Sequence, residues 1–458
     1  MTRILLKNPE AIVSCDREDR VFRNHHLIVE NEIIVSITDS IDQDALFDEV
    51  IDCSGKVIYP GLINTHHHFF QTFVRNRLSI DYPSMTVIEW LDKIYRVFAN
   101  FDEEMIYYSS LTAMSDLVKH GCTTAFDHQY CHTKPNGIKM LDQQVKAATE
   151  IGIRYVGGRG GNTLPREKGS TIPAPMLETT EEFIADCERL IKTYHDNRPF
   201  SMTQIVVAPC QPLNCYSDTF VESVELARKY GVRMHTHLGE GENPLMVERY
   251  GMRSLDWCEE RGFVGKDVWF AHCWELTPEE FVKLGKYGSG VSHCPAPAVL
   301  GGFPILDMRQ IRDTGAIISL GCDGSATNDS SNLLDTLRMT YLMQAWHSKV
   351  RGGCVTPYDV LLMATRGGAK TLGRPEIGSL ESGKAADLFA LDLNRLEYVG
   401  GLHDIANIIP RMGITEQVDF TMINGKLVFY NGELQLVNEY ELKKEADKCQ
   451  QRINELVD

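Results

Sequence analysis

The chain has no long apolar run: nowhere in its 458 residues do the roughly 18 to 20 successive uncharged apolar positions of a membrane-crossing helix occur. That absence sets a membrane aside as a partner. Basic excess is missing as well. Lysine and arginine number 46 against 63 acids, for a formal net charge of −17, and the lysines of "ELKKEADK" alternate with acids. Such a surface repels a phosphate backbone, so nucleic acid is not an expected partner. No C-x-x-C pair occurs among the 13 cysteines, which removes the common dithiol and zinc-ribbon frameworks and leaves the cysteines as reduced core residues. The opening "MTRILLKNPEAIVSCDRED" lacks an apolar stretch followed by a small-residue cleavage site, and the expected location is the cytoplasm.

The composition that is present, 43% hydrophobic and 24% charged, is that of a globular chain long enough for a barrel-sized domain and an accessory unit. Residues 1–59 hold short β-branched runs such as "RILLKN", "HLIVENEIIVSI" and "EVIDCSGKVIYP" between Asn, Asp and Gly turns. Residues 376–436 read the same way, with hairpin turns at Asn424-Gly425 and Asn431-Gly432. Between them, over 60–375, apolar runs such as "TQIVVAPC", "VRMHTHL", "VWFAHC" and "AIISLGCDG" alternate with amphipathic stretches that open on Thr or acids. This alternation predicts the α/β class, as a (β/α)8 TIM-like barrel carrying a small β-sandwich domain formed from both chain ends. Residues 437–458 form an amphipathic C-terminal helix in this reading.

The chemistry starts at "PGLINTHHHFFQT", residues 60 to 72. In an extended strand end residues two apart share a direction, so His66 and His68 aim at one point while His67 faces elsewhere. Two converging imidazoles make half of a transition-metal site. Three further strand ends supply candidates for the remainder: His235, His237 and Glu240 in "RMHTHLGEGE", His272 in "WFAHC", and Asp323 in "LGCDGS". All would project onto the carboxyl-terminal face of a barrel, where such folds carry their active sites. His235 and His237 are rival ligands on one strand face.

In chain order, "PGLINTHHH", "HTHLGE", "FAHC", "SHCP" and "LGCDGS" resemble the motifs of the amidohydrolase superfamily, in particular the branch that removes exocyclic amines from heterocycles. The resemblance extends over nearly the whole chain. It implies a hydrolase acting on C–N bonds, with His66, His68, His237 and Asp323 as metal ligands. Glu240 matches the family's proton-shuttling glutamate, His272 the histidine that contacts substrate or attacking water, and Asp323 doubles as a base. The fourth-strand candidate "TQIVVAPC" lacks the lysine of binuclear relatives, so one divalent ion is expected, zinc first, with iron also suited to this donor set.

"HHHFFQTFVR", "LEYVGGLHD" and "ATRGGAKTLGR" are similar to the 8-oxoguanine deaminase and triazine aminohydrolase cluster. The implied partners are water and a small heterocycle, 8-oxoguanine favoured, with guanine, isoxanthopterin or an s-triazine as alternatives and a catalytically silent barrel scaffold as the non-enzyme alternative. Gln71 is expected to face the ring with a donor and an acceptor, Trp90 to stack on it, and Arg159 of "GGRGGN" to reach it from a strand end. "DHQYCH", with Asp127, His128 and His132, is expected to supply loop contacts. After "SHCP" the chain reads "APAVLGG" where the family usually has a Ser-Asn pair, so the pocket loop there is altered. The resemblance also implies a homo-oligomer.

Overall fold

The computed structural model describes residues 2–78, 84–351 and 355–457. Eight parallel strands follow one another around a barrel: β1 (Leu62–Asn64), β2 (Cys122–Gln129), β3 (Arg154–Gly161), β4 (Thr203–Pro209), β5 (Met234–Leu238), β6 (Val268–His272), β7 (Gly290–His293) and β8 (Ile317–Leu320). The ring closes where the Thr65 N–H, just past β1, donates to the Leu320 carbonyl of β8 at 3.0 Å. Ile63, Phe126, Val206 and Trp269, all buried, pack in one apolar cluster. The carboxyl ends of the strands therefore stand on a packed base.

The intervening helices begin as the sequence indicates. Thr86, Thr179 and Thr277 each cap a helix through a capping box with Glu89, Glu182 and Glu280. Ser217–Tyr230 and Pro278–Tyr287 end on Gly231 and Gly288 at φ of 68° and 73°, a left-handed conformation that glycine adopts without penalty.

Two further sheets make the sandwich. One has the order Ile33–Thr38, His26–Glu30, Arg3–Lys7, Glu49–Asp52. The other joins the chain ends, because Leu388–Asp392 pairs antiparallel with Lys56–Pro60. Ile4, Leu6, Val29, Ile58, Leu388 and Phe420 form the core shared by the two sheets. The sandwich is tied to the barrel by a buried bidentate ion pair: Arg154 Nε and Nη2 of β3 lie 2.9 and 3.0 Å from the Asp387 carboxylate. The helix Glu439–Val457 lies against the helix Glu103–Lys119. All described cysteines are free and buried. Among the described residues, no helix is long and apolar enough to cross a membrane.

Candidate metal and active site

Six of the side chains singled out in the sequence meet at the carboxyl end of the barrel. His66 and His68 follow β1, His237 lies in β5, His272 ends β6, Asp323 follows β8, and Glu240 sits in the loop after β5. The groups His66–His68–His237, His66–His272–Asp323 and His237–Glu240–His272 each offer ligand atoms within 4.8 Å of one another. Asp323 Oδ1 is 3.4 Å from His66 Nε2 and 3.3 Å from His68 Nε2.

The hydrogen bonds behind these rings assign their tautomers. His68 Nδ1 faces the His128 carbonyl at 2.9 Å and His237 Nδ1 the Cys210 carbonyl at 2.7 Å. A carbonyl can only accept, so each neutral ring donates there and leaves its Nε2 lone pair bare. The two Nε2 atoms are 3.1 Å apart, a contact of two acceptors that a cation between them would relieve. His66 Nε2 is buried and without a hydrogen-bond partner. Three bare imidazole nitrogens and a carboxylate are the donor set of a four-coordinate divalent metal, and these residues fit one. His235, the rival, is turned differently: its Nε2 lies 3.0 Å from His66 Nδ1 and its Nδ1 lies 3.0 Å from the Trp269 carbonyl.

The electrostatics separate the two carboxyl groups. Burial, then the charges of Asp323, Glu242 and Glu275, push Glu240 well above the usual carboxylate range. Burial also works against Asp323, but positive charge on the His66 and His68 side of the carboxylate, whether ring protons or a bound cation, outweighs it and holds Asp323 well below that range. A pair split in this way provides one proton donor and one anionic acceptor. Burial holds His66 down to about 4 and moves His237 and His272 far below their ordinary range, toward the neutral rings that ligate metals. His272 Nε2 stands 3.5 Å from Glu240 Oε1.

The backbone is strained at the same place. His272, Cys273 and Asp323 have φ of 72°, 61° and 65°, a region that costs a non-glycine residue about 1 to 2 kcal/mol. The strand ends at β6 and β8 are thus bent to aim side chains. The Glu240 loop is shaped by Gly239 and Gly241, at φ of 66° and 97°. Glu242 folds back beneath it, each carboxylate oxygen accepting a backbone N–H, from Gly239 and from Glu240, at 2.7 Å.

A cavity of about 20 Å³ adjoins these groups, lined by Gln71, Trp90, Leu91, Tyr95, Tyr130, Cys210, Gln211 and Thr327. It has room for one water, so a ring can bind only if the lining moves. Gln71 is buried, donating to Tyr130 Oη at 3.1 Å and accepting from Ala326 N at 3.2 Å. Trp90 both lines the cavity and belongs to the apolar cluster beside it.

Arg159 is a correction. Its guanidinium bonds Glu178 at 2.5 Å and Asp186 at 2.7 Å and lines a different cavity, beside His132. The alternation of β3 places Arg159 with Tyr155 on the helix-facing side, whereas a side chain at Gly158 or Gly160 would meet Phe126 or Tyr130. "DHQYCH" is also not a loop throughout. Asp127, His128 and Gln129 belong to β2; the His128 ring stacks on His237 at 4.8 Å while Asp127 and Gln129 bond Gln144 on the opposite face. Tyr130, Cys210, Gln211 and Thr327 carry no motif of their own and join the lining only through the fold. The segment after His293 is helical over Pro295–Leu300 and returns through Phe303, whose ring lies tilted against Trp274 at 4.7 Å, which contacts His272 at 4.3 Å.

The model of the amidohydrolase family matches residues 57–428. The chain is 52% identical to hydroxydechloroatrazine ethylaminohydrolase of Pseudomonas sp. (strain ADP), over 88% of this chain and 84% of that one. It is 34% identical to 8-oxoguanine deaminase of Pseudomonas aeruginosa PAO1, over 93% of each. A zinc-complexed atrazine chlorohydrolase from Arthrobacter aurescens TC1 superposes with a TM-score of 0.91 at 26% identity, covering 98% of this chain and 100% of the other.

Proposed function

This chain belongs to the amidohydrolase family and is a hydrolase acting on C–N bonds, and from that premise we propose that it removes an amine from a hydroxylated amino-s-triazine. The 52% identity to an enzyme named for such a substrate, against 34% to 8-oxoguanine deaminase, favours the triazine over the oxo-purine suggested by sequence resemblance. The lining supports a neutral ring: apolar and aromatic walls with the amides of Gln71 and Gln211 and, among the described residues, no lysine or arginine. The observation that carries the reading is the convergence of His66, His68, His237 and Asp323 beside a carboxyl group, Glu240, that burial keeps protonated.

In this reading His66, His68, His237 and Asp323 hold one divalent ion, zinc first. Such an ion, when bound, supplies Lewis acidity that lowers the pKa of water from about 16 toward 7. Asp323 accepts a proton from the attacking water at a carboxylate oxygen, the other side of the group being held by Thr327 Oγ1 at 3.2 Å. Water adds to the ring carbon that bears the amine. Glu240 gives its proton to the adjacent ring nitrogen as the C–O bond forms. The C–N bond then breaks as Asp323 passes the proton it took from water to the departing amine, and the hydroxyl proton of the adduct restores Glu240 and leaves the oxo ring. His272, 3.5 Å from Glu240, orients the nucleophile and stabilises charge developing beside it. Gln71 and Trp90 bind and orient the ring.

The test is product identification with the zinc-loaded protein on hydroxylated N-ethylamino-s-triazine, 8-oxoguanine, guanine and isoxanthopterin. Ethylamine release from the triazine at the highest kcat/KM is expected. Faster ammonia release from 8-oxoguanine would move the assignment to the purine.

A further inference from the structure

The first histidine of "HTHLGE" has no role in the scheme above, yet it is fully buried at the centre of the barrel. His235 Nδ1 lies 3.0 Å from the Trp269 carbonyl of β6. A carbonyl accepts only, so the His235 proton sits on Nδ1 and its Nε2 is an acceptor. That acceptor lies 3.0 Å from His66 Nδ1, which must therefore donate. His66 is left with a bare Nε2 on its far side, and that atom has no protein hydrogen-bond partner.

The two rings and the carbonyl form a one-way chain of donors: His66 Nδ1–H to His235 Nε2, and His235 Nδ1–H to Trp269 O. Its direction is fixed by the backbone of β6. Reversing it would point a proton at the position where the ion is to bind and leave the Trp269 carbonyl facing a lone pair. His68 and His237 are oriented more simply, each by a single backbone carbonyl. His66 is the ring held through another side chain.

We propose that His235 is a positioning residue for the metal site: it accepts from His66 Nδ1, locks His66 in the tautomer that presents Nε2, and thereby tightens ion binding without touching the ion. The inference rests on His66 being a ligand, as in the function proposed above. Outer partners of ligating histidines are typically worth 10- to 100-fold in metal affinity.

Two substitutions separate this role from a purely structural one. In His235→Gln the amide oxygen falls near the position of Nε2 and can still accept from His66, but the bond to Trp269 is lost. In His235→Asn the amide lies near the position of Nδ1, keeping the Trp269 bond and losing the acceptor. Zinc affinity is measured by competition with a chromophoric chelator, and thermal unfolding of the apo-proteins is recorded in parallel. The expected result is zinc binding weakened about 10- to 100-fold in His235→Asn and within about threefold of wild type in His235→Gln. Equal affinity in His235→Asn and wild type overturns the proposal. So does equal weakening in both variants, or failure of both to fold, since either assigns His235 to the barrel core. A wild-type protein that binds no zinc would instead remove the metal reading on which the proposal rests.

Discussion

Glu240 and Asp323 are both carboxylates within one buried cluster, and their surroundings drive them to opposite protonation states. Glu240→Gln keeps the volume and removes the transferable proton. It should lower kcat/KM by about 100- to 10,000-fold while zinc content, measured by atomic emission, stays at the wild-type value; retained turnover would remove the proton shuttle. The six residues of this cluster were legible in the sequence because each ends an apolar run, where a two-residue period fixes which side chains point together. Arg159 was not legible for the same physical reason. Its run, "GGRGG", has glycines on both sides, and glycine reveals no face, so the phase of β3 is set only by the fold. His128 was hidden differently, since a polar strand interior reads as a loop although its alternation is regular.

The loops that follow the strands turn this convergence into a site. After β8, a Cβ on Gly324 would stand 1.9 Å from Gln71 Oε1, closer than any real contact. Gly324→Ala should therefore displace the Gln71 amide from its bond with Ala326, raising KM for the ring substrate several-fold with less effect on kcat; steady-state kinetics would check the split, and an unchanged KM would remove Gln71 from substrate contact. The positive φ of His272 and Asp323 could not be read from sequence, because neither is glycine and the strain is imposed by neighbouring strands. The helix Pro295–Leu300 replaced an expected loop. Its influence on the site runs through Phe303 and Trp274 to His272, a path that only packing creates.

For the molecule as a whole, the sandwich and barrel depend on one another through Arg154 and Asp387. Arg154→Met leaves a buried carboxylate unpaired and should cost about 3 to 5 kcal/mol, read as a lower urea midpoint; an unchanged midpoint would show the pair to be dispensable. Acid should destabilise the fold in a defined window. Burial lowers His293 to about 3 and His132 to about 4, from an ordinary value of 6.5. The unfolded chain takes up these protons first, so the stability is present above pH about 6.5 and is lost as pH falls toward those values, at about 1.4 kcal/mol per pH unit for each ring. Urea titrations at pH 7.5 and 5.5 should show the loss, and equal midpoints would contradict it. Both chain ends announced their β-character through turn residues and were expected to form one sandwich, whereas the register that joins them, Leu388–Asp392 on Lys56–Pro60, is a long-range pairing that local pattern does not encode. The account turns on the ion, and anomalous diffraction at the zinc edge from crystals of the zinc-loaded protein tests it most directly. One peak is predicted, about 2.0 to 2.2 Å from Nε2 of His66, His68 and His237 and from an Asp323 oxygen. A peak ligated by His235 or His128, or two peaks in the barrel, would contradict it.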